Sequence, residues 1–564
     1  MMTFQRVIQS LSLGIFLLAL WRAPHSLLGA WPADGFLRMD PIILLGTVVA
    51  GRKLAPFLWI TGCILLLCML LGRFFCAYLC PLGATIDGCD HFLRRQSDRS
   101  SPSPSSSSTG LRHLKYQLLV FILGAGILGV SFVFVAAPMA LATRLYGLII
   151  YPGLYFLADL GLTTLRPAAD QLNLTAIAYA VVKAPRYDLQ WLTFSMSLAL
   201  LAGGVWTPRF WCRNLCPSGA LLALFSRRPI VRRTVSQDCS NCGLCARKCP
   251  MGAIGMETED AKSINPFRVN HAECIVCLTC VRVCPTHAVS FRAGKQSGIE
   301  KIGRQTPTIS LDRRRVLGVG VSGSVAAILT LTGLKAPSSA AGPGNPVHPA
   351  VIRPPGAIPE KNFLARCIRC DACMQACPTN TLQPLGWQAG LSALYSPVVK
   401  PRRGPCAPDC TACGDVCPTG SLRPLHPEEK LKAKVGTARI FRQKCLAWEF
   451  DKKCLICDEV CPFDAIEFRK LPDMHIAVPF VNEKKCFGCG YCEYHCPVQA
   501  VPAIVVEPMQ ALRLSGGSYR TAAREMGYTL ETKPKAGTST DDTGPQDLPL
   551  FQLDEKGLPP GFTE

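Results

Sequence analysis

Twenty-four of the 31 cysteines fall into six short groups, and each group ends in Cys-Pro. Group one, CSNCGLCARKCP, holds Cys239, Cys242, Cys245 and Cys249; group two, CIVCLTCVRVCP, holds Cys274, Cys277, Cys280 and Cys284. Group three (Cys367, Cys370, Cys373, Cys377) and group six (Cys486, Cys489, Cys492, Cys496) keep the same spacing. Group four (Cys406, Cys410, Cys413, Cys417) has one extra residue, and group five (Cys445, Cys454, Cys457, Cys461) stretches its first gap to eight. Spacing this short and regular reads as metal ligation rather than a disulfide framework. Three close thiolates wrap one cube, and the proline turns the chain toward its neighbour.

Four-cysteine zinc sites usually present separated C-x2-C pairs, not triplets followed by Cys-Pro, so the runs point to six [4Fe–4S] clusters. In two-cluster proteins with this run the fourth cysteine ligates the other cluster. Cys284 is therefore expected to complete the first cluster and Cys249 the second. No Ser/His/Asp constellation, phosphate loop or carboxylate pair accompanies the runs, and no C-x-x-C-H marks a covalent haem. The chemistry is electron transfer, one electron per cube.

Four further cysteines repeat a different pattern. Residues 73–85 read RFFCAYLCPLGAT and residues 209–221 read RFWCRNLCPSGAL. Cys76 and Cys80, like Cys212 and Cys216, are spaced to share one helix face, and the following proline suits the first turn of a new helix. Each copy is expected as a helix end at the inner interface of a membrane, where the two could bring four thiols together. A further metal or cluster site, a redox dithiol and inert packing thiols all fit; the duplication favours function. Cys63, Cys68 and Cys89 carry no partner pattern and read as core.

Apolar stretches must position these motifs. They run from Val7 to Trp21, Ala55 to Leu71, Gln117 to Ala137 and Leu189 to Trp206, near the roughly 20 residues a bilayer needs. The region 139–188 is mixed, and Tyr146 to Phe156 suits a membrane surface. The net charge of +21 sits largely in arginines beside apolar runs, a positive-inside pattern that points away from nucleic acid. The polar linker 97–110, SDRSSPSPSSSSTG, and the basic segment after residue 206 are both placed in the cytoplasm. Arg313 to Arg315 precede a Gly- and Ala-rich apolar stretch up to residue 342, which reads as a twin-arginine export signal or as a fifth transmembrane helix. Either carries the rest outward.

The expected fold is an α-helical membrane domain of four spans plus a fifth linking helix, with α+β ferredoxin-like modules on both sides. Residues 1–235 form the membrane domain, 236–295 a cytoplasmic two-cluster ferredoxin, and 296–342 the basic linker and signal-like segment. Residues 343–510 form a periplasmic four-cluster ferredoxin, and 511–564 a polar, partly disordered tail.

With these motifs in place, residues 1–295 resemble the NapH-type membrane quinol dehydrogenases. Residues 310–510, with the arginines at 313–315, RPPGAI at 353–358 and the uneven gaps, resemble the NapG/MauM-type exported four-cluster ferredoxins. The resemblance implies a fusion of the two, placed in a bacterial inner membrane and oxidising quinol from the quinone pool. It implies a periplasmic acceptor such as a cytochrome c or a molybdoenzyme, as in nitrate-reductase-like systems, and membership of a larger membrane complex. It also implies that Cys496 completes group three and Cys461 group four. His91, with Asp87 and Asp90, is a candidate for the quinone site; His25 and Asp40 are others on the opposite side. An assembly or redox-maintenance factor, and a conduit running from a periplasmic donor to quinone, are the competing functions.

Overall fold

Short capped helices, rather than long uninterrupted ones, build the first half of the chain. The computed structural model describes residues 4–23, 34–52, 58–95, 109–175, 179, 182, 184–256, 267–293, 313–332, 351–472, 474–499 and 501–533. The helices are α1 (Phe4–Arg22), α2 (Pro41–Gly51), α3 (Leu58–Leu71), α4 (Phe74–Tyr78), α5 (Pro81–Arg95) and α6 (Leu114–Ile127). There follow α7 (Pro138–Arg144), a π-helical segment (Leu145–Ile150), α8 (Tyr151–Gln171), α9 (Gln190–Ala202), α10 (Phe210–Asn214) and α11 (Pro217–Phe225). Local chemistry starts them. Asp40 caps α2 by accepting from the Ile42 amide at 3.2 Å, and Pro41 occupies the first helical position.

Among the described residues, two helical runs are long and apolar enough to cross a membrane: Phe4–Arg22 and Pro138–Pro167. The stretch expected unbroken from Gln117 to Ala137 is interrupted, because α6 stops at Ile127 and Gly129 turns the chain with a φ of 82°. The stretch expected from Ala55 begins outside the described residues, and its helix covers 58–71. By contrast, residues 138–171, read from sequence as mixed, form a continuous helical run through the π segment. Arg144, Asp159, Arg166, Asp170 and three prolines dilute its hydrophobicity, which hid it. Large apolar side chains face outward from this domain: Leu154, Phe156, Leu157 and Leu160 on α8, and Trp191 and Leu198 on α9.

A further helix, α12 (Arg313–Thr332), lies along α6. The contact is glycine against glycine: a Cβ on Gly124 would sit 2.5 Å from the Gly320 carbonyl oxygen, and one on Gly323 would collide with the Phe121 carbonyl. The Ser324 hydroxyl donates to the Gly124 carbonyl at 3.2 Å.

Two iron–sulfur modules pack on opposite ends of this domain. In the middle module, β1 (Val231–Val235) precedes group one and pairs antiparallel with β4 (Val289–Ala293) after group two. β2 (Ile254–Met256) and β3 (Phe267–Val269) pair between the two groups. The C-terminal module repeats the arrangement twice. A bridge between Ala357 and Leu422 encloses groups three and four, with β5 (Leu382–Pro384) and β6 (Pro397–Val399) paired inside. β7 (Thr437–Ile440) pairs with β10 (Ile504–Glu507) around groups five and six, with β8 (Ile466–Lys470) and β9 (Ala477–Val481) paired inside. The segment given to a tail is built into this module as far as Lys533. Its helix α13 (Tyr519–Glu525) buries Tyr519 completely, and Leu530 is also fully buried.

Helix α6 shows the separation of the modules. Near its start, Lys115 donates to Glu273 of the middle module at 2.5 Å; beyond its end, the Ser131 carbonyl accepts from Arg369 of the C-terminal module at 3.1 Å.

Candidate functional site

The strictly spaced runs share one backbone device. In groups one, two, three and six, the residues two and four positions after the first cysteine adopt left-handed φ values. They are Asn241 and Gly243, Val276 and Leu278, Arg369 and Asp371, and Gly488 and Gly490. Each left-handed residue reverses the local curl, so three thiols turn inward; a β-branched Val276 there is strained. Groups four and five, with their longer gaps, lack this pair.

Four-thiol voids result. Cys249, Cys274, Cys277 and Cys280 line one, and Cys461, Cys486, Cys489 and Cys492 line another. The first places Cys249 where the sequence expected it. The second corrects an expectation, since Cys461 faces group six rather than group four. Likewise Cys367, Cys370 and Cys373 gather with Cys417, not Cys496, and Cys406, Cys410 and Cys413 gather with Cys377. The physical reason is enclosure: the Ala357–Leu422 bridge and the β7–β10 pair each close around two consecutive groups. A backbone bond from the Cys406 amide to the Cys489 carbonyl, 2.8 Å, joins the two halves of the C-terminal module.

The two repeated motifs converge inside the helical domain. Cys80 and Cys216 stand just before α5 and α11, where each sulfur accepts from a first-turn amide: Gly83 at 3.4 Å and Gly219 at 3.2 Å. The motif's proline starts each helix. Its glycine leaves room, since a Cβ on Gly83 would meet the Cys76 carbonyl at 2.9 Å and one on Gly219 the Arg73 guanidinium at 2.7 Å. Cys76, Cys80, Cys212 and Cys216 line one small void.

The arginine that opens each motif reaches across to the other copy. Arg209 donates to the Cys76 carbonyl at 3.1 Å and pairs with Asp87, while its own amide donates to Asp90 at 2.7 Å. Arg73 lies against Gly219 and donates to the Ala272 carbonyl and to Glu273. Both arginines are buried, and Arg73 Nε and Nη2 have no hydrogen-bond partner among the described residues. Neither was singled out from sequence, although both stand in the repeated R-F-[FW]-C.

This site is deeper than a helix end at an interface. Ser12, midway along α1, donates to the Leu79 carbonyl at 3.0 Å, and Leu20 of the same helix accepts from Gln375 of the C-terminal module. Eight residues separate these levels, about 12 Å of helix. On its other side the site shares an apolar cluster with the middle module, where Ala77, Met251 and Ile275 pack with Cys76, Cys212, Cys249 and Cys274.

A cleft of about 320 Å³ lies between the four thiols and the C-terminal module. Leu82 and Trp211 wall it on the thiol side; Arg144, Thr193 and Tyr395 supply its polar end. The hydroxyls of Thr193 and Tyr395 are 3.0 Å apart, and Arg144 donates to the Arg369 carbonyl at 2.8 Å beside group three. The π segment adjoins Arg144, as π-bulges often adjoin functional sites. The other sequence candidates lie elsewhere. His91 is exposed on α5 and does not line the cleft. Asp40 is buried as a cap, accepting from Ser218 at 2.7 Å. His25 lies outside the described residues. Among the described residues, no three His, Cys, Asp or Glu side chains converge on a single metal ion. The thiols instead surround voids, as a cube requires.

The chain matches the 4Fe-4S dicluster domain family over residues 238–301 and 452–500. It matches 4Fe-4S binding domain families over residues 364–383, and over 54–99 and 189–236, the stretches that carry the repeated motifs. It is 34% identical over 186 residues to the methylamine utilization ferredoxin-type protein MauM of Paracoccus denitrificans, covering 32% of this chain and 81% of that one. MauM of Methylorubrum extorquens is 36% identical over 220 residues, 38% of this chain and 97% of its own. The ferredoxin-type protein NapG of Escherichia coli is 35% identical over 207 residues, 35% of this chain and 86% of its own.

Proposed function

Because the chain belongs to the ferredoxin-type iron–sulfur proteins that include MauM and NapG, we propose that it joins their electron-transfer module to a membrane quinol dehydrogenase in one polypeptide. In this reading six ferredoxin-type clusters flank the helical domain, with Cys284 and Cys496 as the fourth ligands of groups one and five. The helical domain lies in the bacterial inner membrane, the middle module faces the cytoplasm and the C-terminal module faces the periplasm. The apolar side chains exposed on α8, α9 and α12 support the membrane placement, as does the basic character of the loops at the middle module's end.

The observation that carries the reading is the cleft. It is a largely apolar chamber with a small polar end, the form expected of a site for a lipophilic ring, and it abuts group three. Quinol loses two electrons and two protons on becoming quinone; the clusters accept the electrons singly. Arg144, Thr193 and Tyr395 hold the ring's oxygens at the polar end. The Thr193–Tyr395 hydroxyl pair offers the released protons a first acceptor on the periplasmic side. Electrons then pass outward through the four sets of the C-terminal module to a periplasmic cytochrome c or molybdoenzyme.

Filling the cleft tests this. Ser197 lines it from α9, and Ser197→Trp should slow cluster reduction by a quinol analogue at least tenfold. Reduction by dithionite and total iron content should stay unchanged. Equal quinol-driven rates in both proteins would place the quinol elsewhere.

A further inference from the structure

The path from the cleft outward through the C-terminal module leaves the middle module without a task. Yet that module carries the most accessible of the grouped thiols: among the 24 group cysteines, Cys242 alone is exposed. Group two packs against the helical domain, where Ile275, Cys274 and Cys277 meet Ala77 and Tyr78, while Cys239, Cys242, Cys245 and Cys284 stand outside that contact. Group one therefore forms a free outer face. We propose that this face, with Arg247, Lys248 and Arg282 beside Cys242, docks a second electron donor: a soluble one-electron carrier protein with acidic residues around its own redox centre.

Charge complementarity selects the partner. On the two segments that hold the group-one cysteines, residues 238–250 and 280–287, the exposed charged side chains are Arg247, Lys248 and Arg282 against Asp238 alone. Arg247 is held at the spot, since its guanidinium donates to the Cys242 carbonyl at 2.9 Å. Arg282 is held by the Thr279 hydroxyl at 3.2 Å. A positive rim around an accessible redox edge attracts a negative one and speeds encounter. A lipid surface would also be met by apolar side chains, as on α8 and α9. None of the exposed large apolar residues falls on these two segments. A polar, charge-led face of this kind suits a brief encounter between redox proteins rather than a permanent subunit.

The same chemistry gives the direction. Arg233, which is buried, donates to the Cys245 sulfur at 3.4 Å. A donor with positive charge at a ligand sulfur favours the reduced, more negative cluster. One electron passes from the carrier's reduced centre to group one, oxidising the first and reducing the second, with no bond made or broken. Group two is next in line, because Cys249 of the group-one run reaches into the group-two site.

The proposal rests on a cluster held by Cys239, Cys242, Cys245 and Cys284, and it is independent of the quinol cleft. Full-length protein in phosphatidylcholine nanodiscs, prepared without oxygen, should bind an acidic plant-type ferredoxin in biolayer interferometry. Its affinity should fall roughly tenfold between about 50 and 300 mM salt. Arg247→Glu combined with Lys248→Glu should weaken binding by about tenfold or more and slow reduction of the clusters by reduced ferredoxin. Iron content and dithionite-reducible signals of the variant should match the wild type, which shows that it is folded. Equal binding by both proteins, binding indifferent to salt, or a loss of affinity confined to phosphatidylglycerol vesicles would each overturn the proposal. Iron content unchanged by Cys242→Ser would also overturn it, by showing that group one holds no cluster, a failure distinct from one of docking.

Discussion

Glu273→Ala should release the middle iron–sulfur module from the helical domain, at a cost of about 3–5 kcal/mol. One carboxylate is the hub of that contact. It accepts from Lys115 at 2.5 Å, from Arg73 at 3.1 Å and from the Tyr116 hydroxyl at 3.1 Å, and both cations are fully buried. Removing it leaves two adjacent buried cations without their counter-charge, which is the costly way to break such a cluster. Melting of the cluster absorbance should show a separate, earlier transition for this module. Burial alone would raise the Glu273 carboxyl, yet Arg73 and Lys115 hold it below its usual value. A depressed folded-state pKa means that the latch is complete above the ordinary carboxylate range. It is lost as pH falls through the depressed value, so the early transition should appear in the wild type under acid conditions. Glu273→Gln should resemble the acid form at every pH, and an unchanged single transition in both variants would refute the latch.

Gly323→Leu should separate α12 from α6 at a cost of about 1–3 kcal/mol or more. The backbones approach so closely at Gly124 and Gly323 that no side chain fits between them, and the Ser324 hydroxyl bonds across the gap. A flexible neighbour could yield, but the obstructing atoms at Gly323 belong to the Phe121 main chain. After limited proteolysis of the segment preceding α12, which leaves α12 joined to the C-terminal module, washing of membranes should then extract more of the C-terminal half. The sequence alone left this segment either an export signal or a resident helix; packing of this closeness suits a resident one. Retention equal to the wild type would show that the glycine contact contributes nothing.

The cysteine runs were readable because ligand spacing is local: three thiols and a proline within about a dozen residues define one wrapped corner set. Their partnership was not. Whether Cys461 faces group four or group six depends on which strands close around them, and the pairing of β7 with β10 spans some 60 residues. The repeated motif signalled its importance through duplication, and its Arg, Pro and Gly each prove to have a geometric task. Its depth stayed hidden, because a proline-marked helix end looks the same at a membrane edge and in the middle of a broken-helix domain. The cleft joins Trp211 to Tyr395, from different domains, and no local pattern announces such a meeting. Arg144, at its polar end, carried no motif that could single it out.

The central claim is that quinol electrons enter within the helical domain and spread through the thiol-held clusters. Rapid mixing of the oxidised, full-length protein in detergent with a soluble quinol analogue, under strict exclusion of oxygen, tests it directly. The account predicts that cluster absorbance bleaches within seconds, and that a cleft-filling Ser197→Trp variant stays oxidised over the same interval. Protein that dithionite bleaches fully but quinol leaves oxidised would contradict it.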